Sequence, residues 1–180
     1  DACVLQISAG AFELGGAVLE PHELLQAEDR RFDVYPGPRF GQHMDDKTIA
    51  WWDAPEQKEA WDRIVEAEKV PLEEALSRFS KFVTTWVGRR GKIWGLPPQF
   101  DLRILRGAYA TAELPVPWHF SQEHDLRTLL WAASKAVPST FRAPRTEGRG
   151  LIKHFALHDA ARQAMLAQSA FRALKLSADQ

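Results

Sequence analysis

The sequence contains almost no cysteine: Cys3 is the only one in 180 residues. That excludes an internal disulfide and suits a reducing compartment, with Cys3 itself reading as a small core residue inside an apolar run. An excess of either charge is also missing, since 23 Lys and Arg stand against 24 Asp and Glu, for a formal net charge of −1. Global electrostatics therefore does not draw the protein onto a polyanion, and any such binding has to come from a local patch. Long apolar runs are absent as well. No stretch reaches the roughly 18 residues that a membrane span needs, and no basic segment followed by an apolar core opens the chain. The expectation is a soluble, cytoplasmic protein with no membrane partner.

What is present describes a globular chain. Hydrophobic residues make up 45% and charged residues 26%, with seven tryptophans, and the length suits one domain over residues 1–180. The tryptophans also leave a homo-oligomer interface open. Two local basic patches stand out against the near-neutral balance. Arg78, Lys81, Arg89, Arg90 and Lys92 follow one another with no acid between them. Arg142, Arg145, Arg149 and Lys153 face only Glu147 in their segment. Either patch reads as a phosphate-binding surface or as ordinary solvated loops and helix ends.

Ala2 to Leu14 is nearly continuous small and branched apolar sequence, which predicts a central strand. Gly15-Gly16 turns the chain, and Arg31 to Tyr35 alternates like a half-buried strand before the Pro36-Gly37-Pro38 break. Leu72, Ala75, Leu76, Phe79, Phe82, Val83 and Trp86 fall at helical spacing, with Pro71 suited to the first helical position. Ile93 to Leu96 reads as a short strand leading through Pro97-Pro98 into a helix that begins near Phe100-Asp101. Val116 to Phe120 is a candidate strand, Asp125 a candidate helix cap, and Phe155 to Leu174 the final helix. Strands followed by alternating strands and helices predict an α/β fold, a mixed sheet covered by helices.

The densest chemistry lies in Lys153-His154-Phe155-Ala156-Leu157-His158-Asp159-Ala160. On a helix, His154 and His158 would share a face. These residues could cap and solvate a helix start. They could also form an i, i+4 zinc pair, although the intervening glutamate and an evident third ligand are lacking, or a zinc or HD-type phosphohydrolase site built on His154, His158 and Asp159.

A third account rests on resemblance. His154 and Asp159, five positions apart at a helix start, resemble the third motif of DEDDh-type 3′-5′ exonucleases. Trp94 to Leu105, where Asp101 follows a phenylalanine behind a short strand, resembles the second. Thr48-Ile49-Ala50-Trp51-Trp52 with Glu56 to Ala60, and Asp125 to Leu129, resemble phage DexA-type exonucleases and their mycobacterial relatives. The similarity then covers almost the whole chain and implies a ribonuclease-H-like mixed sheet. In that family an Asp-x-Glu motif lies on a first strand just before the segment that Val4 to Phe12 resembles. No such motif precedes Val4 here. The expectation is a domain whose central first strand and first motif are not in this sequence.

The resemblance implies metal-dependent hydrolysis from the 3′ end of single-stranded DNA or RNA. In-line displacement at a phosphodiester is served by two divalent ions roughly 4 Å apart, and hard Mg²⁺ or Mn²⁺ calls for carboxylates. Asp101 and Asp159 would be metal ligands. His154 would be the general base, a role that suits imidazole chemistry near neutral pH, and His158 would not. Arg145, Arg149 and Lys153 are placed to hold phosphates of the incoming strand. Phe100 could pack on the terminal nucleotide or belong to the core. Trp51 could stack on a base, and because neighbours on a helix point about 100° apart, Trp51 and Trp52 should not both face a ligand. A helix cap and an ion pair account for Asp125 and Arg127 without catalysis. The competing class is a catalytically degenerate exonuclease-fold module that binds nucleic acid or protein without cutting.

Overall fold

The computed structural model describes residues 2–37, 44–138, 141–145 and 150–178. Five short strands form among them, β1 (Ile7–Gly10), β2 (Arg31–Pro36), β3 (Lys69–Val70), β4 (Ile93–Gly95) and β5 (Glu123–Asp125). The helices are α1 (Pro21–Gln26), α2 (Asp46–Trp52), α3 (Lys58–Glu66), α4 (Leu72–Trp86), α5 (Pro98–Thr111), α6 (Leu126–Ala136) and α7 (Ala156–Ala178). The strands build two small sheets. In the first, β1 pairs antiparallel with β2, and β2 pairs parallel with β3; in the second, β4 and β5 pair in parallel.

The apolar run at the start of the chain forms a shorter strand than its composition predicts. Only Ile7–Gly10 pairs, and it pairs on one side, through Ile7 opposite Val34 and Ser8 opposite Asp33. β1 is therefore an edge among the described residues, not a central strand. The segment between β1 and β2 holds α1, where the sequence suggested a plain turn. Its proline sits in the first turn, and Glu20 and Glu23 form a capping box ahead of an otherwise short helix. Val116 to Phe120 is not a strand. The backbone there turns and enters a 3-10 turn at Phe120–Gln122, and the strand that follows is β5. His119 and Gln122 close that turn reciprocally, a polar cap that the apolar pattern of Val116 and Trp118 conceals.

α4 follows its periodicity closely. Leu72, Ala75, Leu76, Phe79 and Val83 are buried on one face and meet Ile7, Val34, Leu102 and Trp118 in the main core. Tyr109, fully buried on α5, shares a hydrogen bond with the Ser80 hydroxyl at 2.8 Å and donates to the Leu76 carbonyl at 2.9 Å, so α4 and α5 are locked by one satisfied phenol. α7 packs against α1, α6 and β1. Its alanines at 161, 164, 167 and 170 are buried and let three neighbours approach one helix closely. Gln168, buried on the same helix, takes Leu19 N–H and donates to the carbonyls of Glu13 and Ala17, which pins the loop after β1.

Gly95 ends β4 at a point where the chain must turn sharply into α5. A Cβ there would lie 2.8 Å from Pro98 Cα and 3.0 Å from Pro98 N, both backbone atoms that cannot swing aside. Gly95→Ala is expected to lower unfolding free energy by about 1–3 kcal/mol, the usual range for overpacking. A chemical-denaturation midpoint equal to that of the parent would show that the turn relaxes freely.

Candidate active site

Between β1 and β4 runs a slot of about 1950 Å³. Every residue of β1 lines one side, and Ile93 and Trp94 of β4 line the other. β1 has β2 as its only strand neighbour and β4 has only β5, so two unpaired strand edges face this space among the described residues. α4 contributes Phe79, Phe82 and Val83 to the wall, and α7 contributes Asp159, Arg162 and Gln163.

The slot collects most of the residues expected to carry chemistry. Trp51, Phe100, Asp101, Lys153, His154 and Asp159 all line it. Asp101 reaches it from the first turn of α5, behind the Pro97-Pro98 entry. Its carboxyl is pushed above the ordinary aspartate range, first by desolvation and also by the charge of Asp159, while the Leu96 backbone hydrogen bond pulls the other way. The two carboxylates are thus close enough to feel each other. Phe100 is 64% exposed, which rules out a core role and leaves its ring at the slot wall.

His154 is not on a helix. It precedes α7 with φ 61°, a left-handed backbone that side chains other than glycine seldom adopt, and its ring meets Trp51 edge-on at 4.8 Å. The i, i+4 zinc pair is therefore not formed, because one of its members lies outside the helix. His158, the other member, is committed elsewhere. Its Nδ1 accepts the Ile152 N–H at 2.9 Å, and its ring stands edge-on to Phe155. Burial, followed by the nearby Arg63, holds the His158 imidazole below its usual range, against the opposing pull of Asp159, Asp33 and Glu59.

Trp51 is exposed and Trp52 half-buried, yet both line the slot; Trp52 also packs beside Ala60, Ile64 and Phe155 and lies tilted against Trp61 at 5.4 Å. Asp125 caps α6 by accepting the Arg127 N–H at 2.9 Å. The Arg127 guanidinium then bridges from Asp125 to Gln99 on α5. This ties the start of α6 to the turn that carries Asp101. Arg145 is exposed but does not line the slot, and Arg149 lies outside the described residues. In the other basic patch Arg78 pairs with Glu74 on α4, and Lys92 reaches the Ser121 carbonyl at 3.5 Å.

Sequence reasoning missed the network that holds the His154 loop in place. Gln6 Oε1 accepts the Ala156 N–H at 3.0 Å, so the side chain just ahead of β1 captures one of the unsatisfied amides at the start of α7. Gln6 Nε2 donates to Asp33 Oδ1 at 2.7 Å, and Asp33 also accepts from Ser8 Oγ at 2.5 Å and from the Tyr35 hydroxyl at 2.7 Å. Burial and the adjacent Asp33 carboxylate push the Tyr35 hydroxyl far above its ordinary range. The sequence offers only a partial signal: Gln6 and Ser8 are polar positions two apart in an apolar run, and Asp33 and Tyr35 repeat the spacing on β2, which marks a polar face but not the partners it meets.

Asp101 and Asp159 are hard oxygen donors whose mutual repulsion a divalent cation would relieve, so they fit as part of a Mg²⁺ or Mn²⁺ site. They are not a complete one, since no group of three or more His, Cys, Asp or Glu side chains converges among the described residues. Nor is any described helix long and apolar enough to cross a membrane. The family model described as 3′-5′ exoribonuclease Rv2179c-like domain matches residues 7–171. No curated protein and no solved structure matches the chain.

Proposed function

The chain belongs to the Rv2179c-like 3′-5′ exoribonuclease domain family, and from that premise we propose that it is a divalent-metal-dependent 3′-5′ exonuclease of the DEDDh type acting on single-stranded RNA. The observation that carries this reading is the meeting of Asp101, His154 and Asp159 in one slot, from the start of α5, the loop before α7 and the first turn of α7. The order β3-β2-β1, slot, β4-β5 supports a ribonuclease-H-like sheet in which one more strand lies between β1 and β4. An Asp-x-Glu pair on that strand would complete the carboxylate set beside Asp101 and Asp159.

Asp101 and Asp159 would hold the metal, which when bound would neutralise charge on the phosphate and on the departing oxygen. His154 takes a proton from the attacking water as its oxygen bonds to phosphorus. The bond from phosphorus to the 3′-oxygen breaks, the 3′-hydroxyl is completed by a proton, and a nucleoside 5′-monophosphate leaves. Lys153, next to His154, lines the slot and is placed to hold the backbone phosphates. Phe100 and Trp51 border the slot and offer faces to the terminal nucleotide.

With Mn²⁺ or Mg²⁺, the protein is expected to shorten a 5′-labelled oligoribonucleotide one nucleotide at a time, and to stop when EDTA is added. Internal cuts, or undiminished shortening in EDTA, would overturn the proposal. A second reading, a module that grips nucleic-acid ends without cutting, is favoured by the absence of a three-member ligand group among the described residues. It predicts retention of the labelled oligonucleotide with no ladder at any metal concentration.

A further inference from the structure

Asp159 already has a cation beside it. Arg162, one turn further along α7, brings Nη2 to 3.2 Å and Nε to 3.4 Å from Asp159 Oδ1. Each side chain is 30% exposed, and both line the slot together with Asp101. The pair is therefore neither a solvated surface bridge nor a buried one. It sits in the wall of the slot, on a carboxylate that the exonuclease reading gives to a metal.

The local charge can be counted. Asp101, Asp159 and Arg162 by themselves sum to −1, which one divalent cation would carry to +1. A cation arriving at Asp159 meets a guanidinium already on Oδ1, so the guanidinium either gives up that oxygen or repels the newcomer. An arginine side chain has the length and freedom to swing clear while its head stays on the slot wall. Once released, its planar fork has a natural new partner in a nucleic-acid phosphate, which it can hold through two parallel hydrogen bonds.

Resting on the exonuclease reading, we infer that Arg162 is a resident counter-ion that holds Asp159 until metal and substrate arrive, and then transfers to a substrate phosphate. Metal and nucleic acid bind with positive coupling through this one side chain. Linkage makes the coupling reciprocal: an RNA end tightens metal binding by the same factor by which metal tightens RNA binding. Arg162 is in this sense a positioning residue and not an acid or base.

The test is a Mn²⁺ titration followed by electron paramagnetic resonance, with and without a saturating phosphorothioate oligoribonucleotide that resists cleavage. The parent protein is expected to bind Mn²⁺ more tightly when the oligonucleotide is present. Arg162→Gln is expected to bind Mn²⁺ on the order of fivefold more tightly than the parent without oligonucleotide, and to lose most of the further tightening. Arg162→Lys, which keeps the charge but not the fork, is expected to fall between them and covers the case in which the glutamine variant folds poorly. Unchanged or weaker Mn²⁺ affinity in Arg162→Gln, or full coupling retained in it, overturns the inference. Asp159→Asn separates the two levels. If it leaves Mn²⁺ affinity intact, the metal role of Asp159 fails. If it weakens Mn²⁺ binding while Arg162→Gln gains nothing, only the role of Arg162 fails.

Discussion

Asp101→Asn is expected to slow nucleotide release by roughly 10²–10⁴-fold, the span that several kcal/mol of lost charge stabilisation represents, while the thermal midpoint holds or rises. The second half follows from the sign of the Asp101 shift. In the folded chain its carboxyl is raised by desolvation and by Asp159, so the folded state keeps this proton to higher pH than the unfolded state does. Stability therefore falls as pH rises from the unfolded to the folded value, and the penalty is full above the folded value. Asparagine removes the charge and with it the penalty, and its amide oxygen still accepts a hydrogen bond from the Leu96 backbone. In the parent, metal binding needs the ionised form, so Mn²⁺ affinity is expected to weaken on acidification at a higher pH than an ordinary aspartate would give. Denaturation and turnover measured on the same preparation check both halves. An asparagine variant that is both inactive and markedly less stable would mean that Asp101 serves the fold, not the chemistry.

The sequence showed the long elements and two short strands, β2 and β4, but hid α1 and β3, for a physical reason. α4 was legible because five buried residues repeat at helical spacing over four turns. α5 and α6 were marked by prolines and by the Asp125 cap. By contrast, α1 is six residues long and β3 is two, too short for any period to register; α1 is set by its own capping box and β3 by pairing with β2. Val116 and Trp118 looked like strand residues because both carry β-forming side chains. Trp118 instead turns inward to the core, where it meets Phe79 and Tyr109 edge-on and donates its indole N–H to Glu123.

The candidate site divides along the same line. Asp101, Asp159 and His154 were legible because each sits in a local motif, and the structure brings all three to one slot. Gln6, Asp33 and Arg162 were not, because what they do depends on partners that strand register or helix phase supplies. Gln6 reaches an amide 150 residues away, and two of the three donors on Asp33, Gln6 and Ser8, are brought to it by the β1–β2 pairing. A neutral zinc-pair spacing in His154 and His158 was misleading for the complementary reason: spacing assumes a helix, and α7 begins two residues after His154.

That offset makes His154 the sharper test of function. His154→Ala is expected to lower kcat by roughly 10²–10⁴-fold, the usual contribution of a positioned general base, with KM and Mn²⁺ affinity little changed. A control is available at the same position. His154 holds φ 61°, and a left-handed backbone at a residue other than glycine costs about 1–3 kcal/mol that the surrounding contacts must offset. Those contacts are in view: Gln6 on the Ala156 amide, His158 on the Ile152 amide, and Trp51 against the imidazole itself. His154→Gly relieves the strain, since glycine enters this region without a Cβ clash, so its thermal midpoint should not fall even though the ring and the Trp51 contact are gone. Loss of activity at undiminished stability would separate the chemistry of the imidazole from any part it has in the fold. Turnover within a few-fold of the parent in the glycine variant would remove His154 from the mechanism. A matching loss of Mn²⁺ binding in both variants would instead make it a metal ligand.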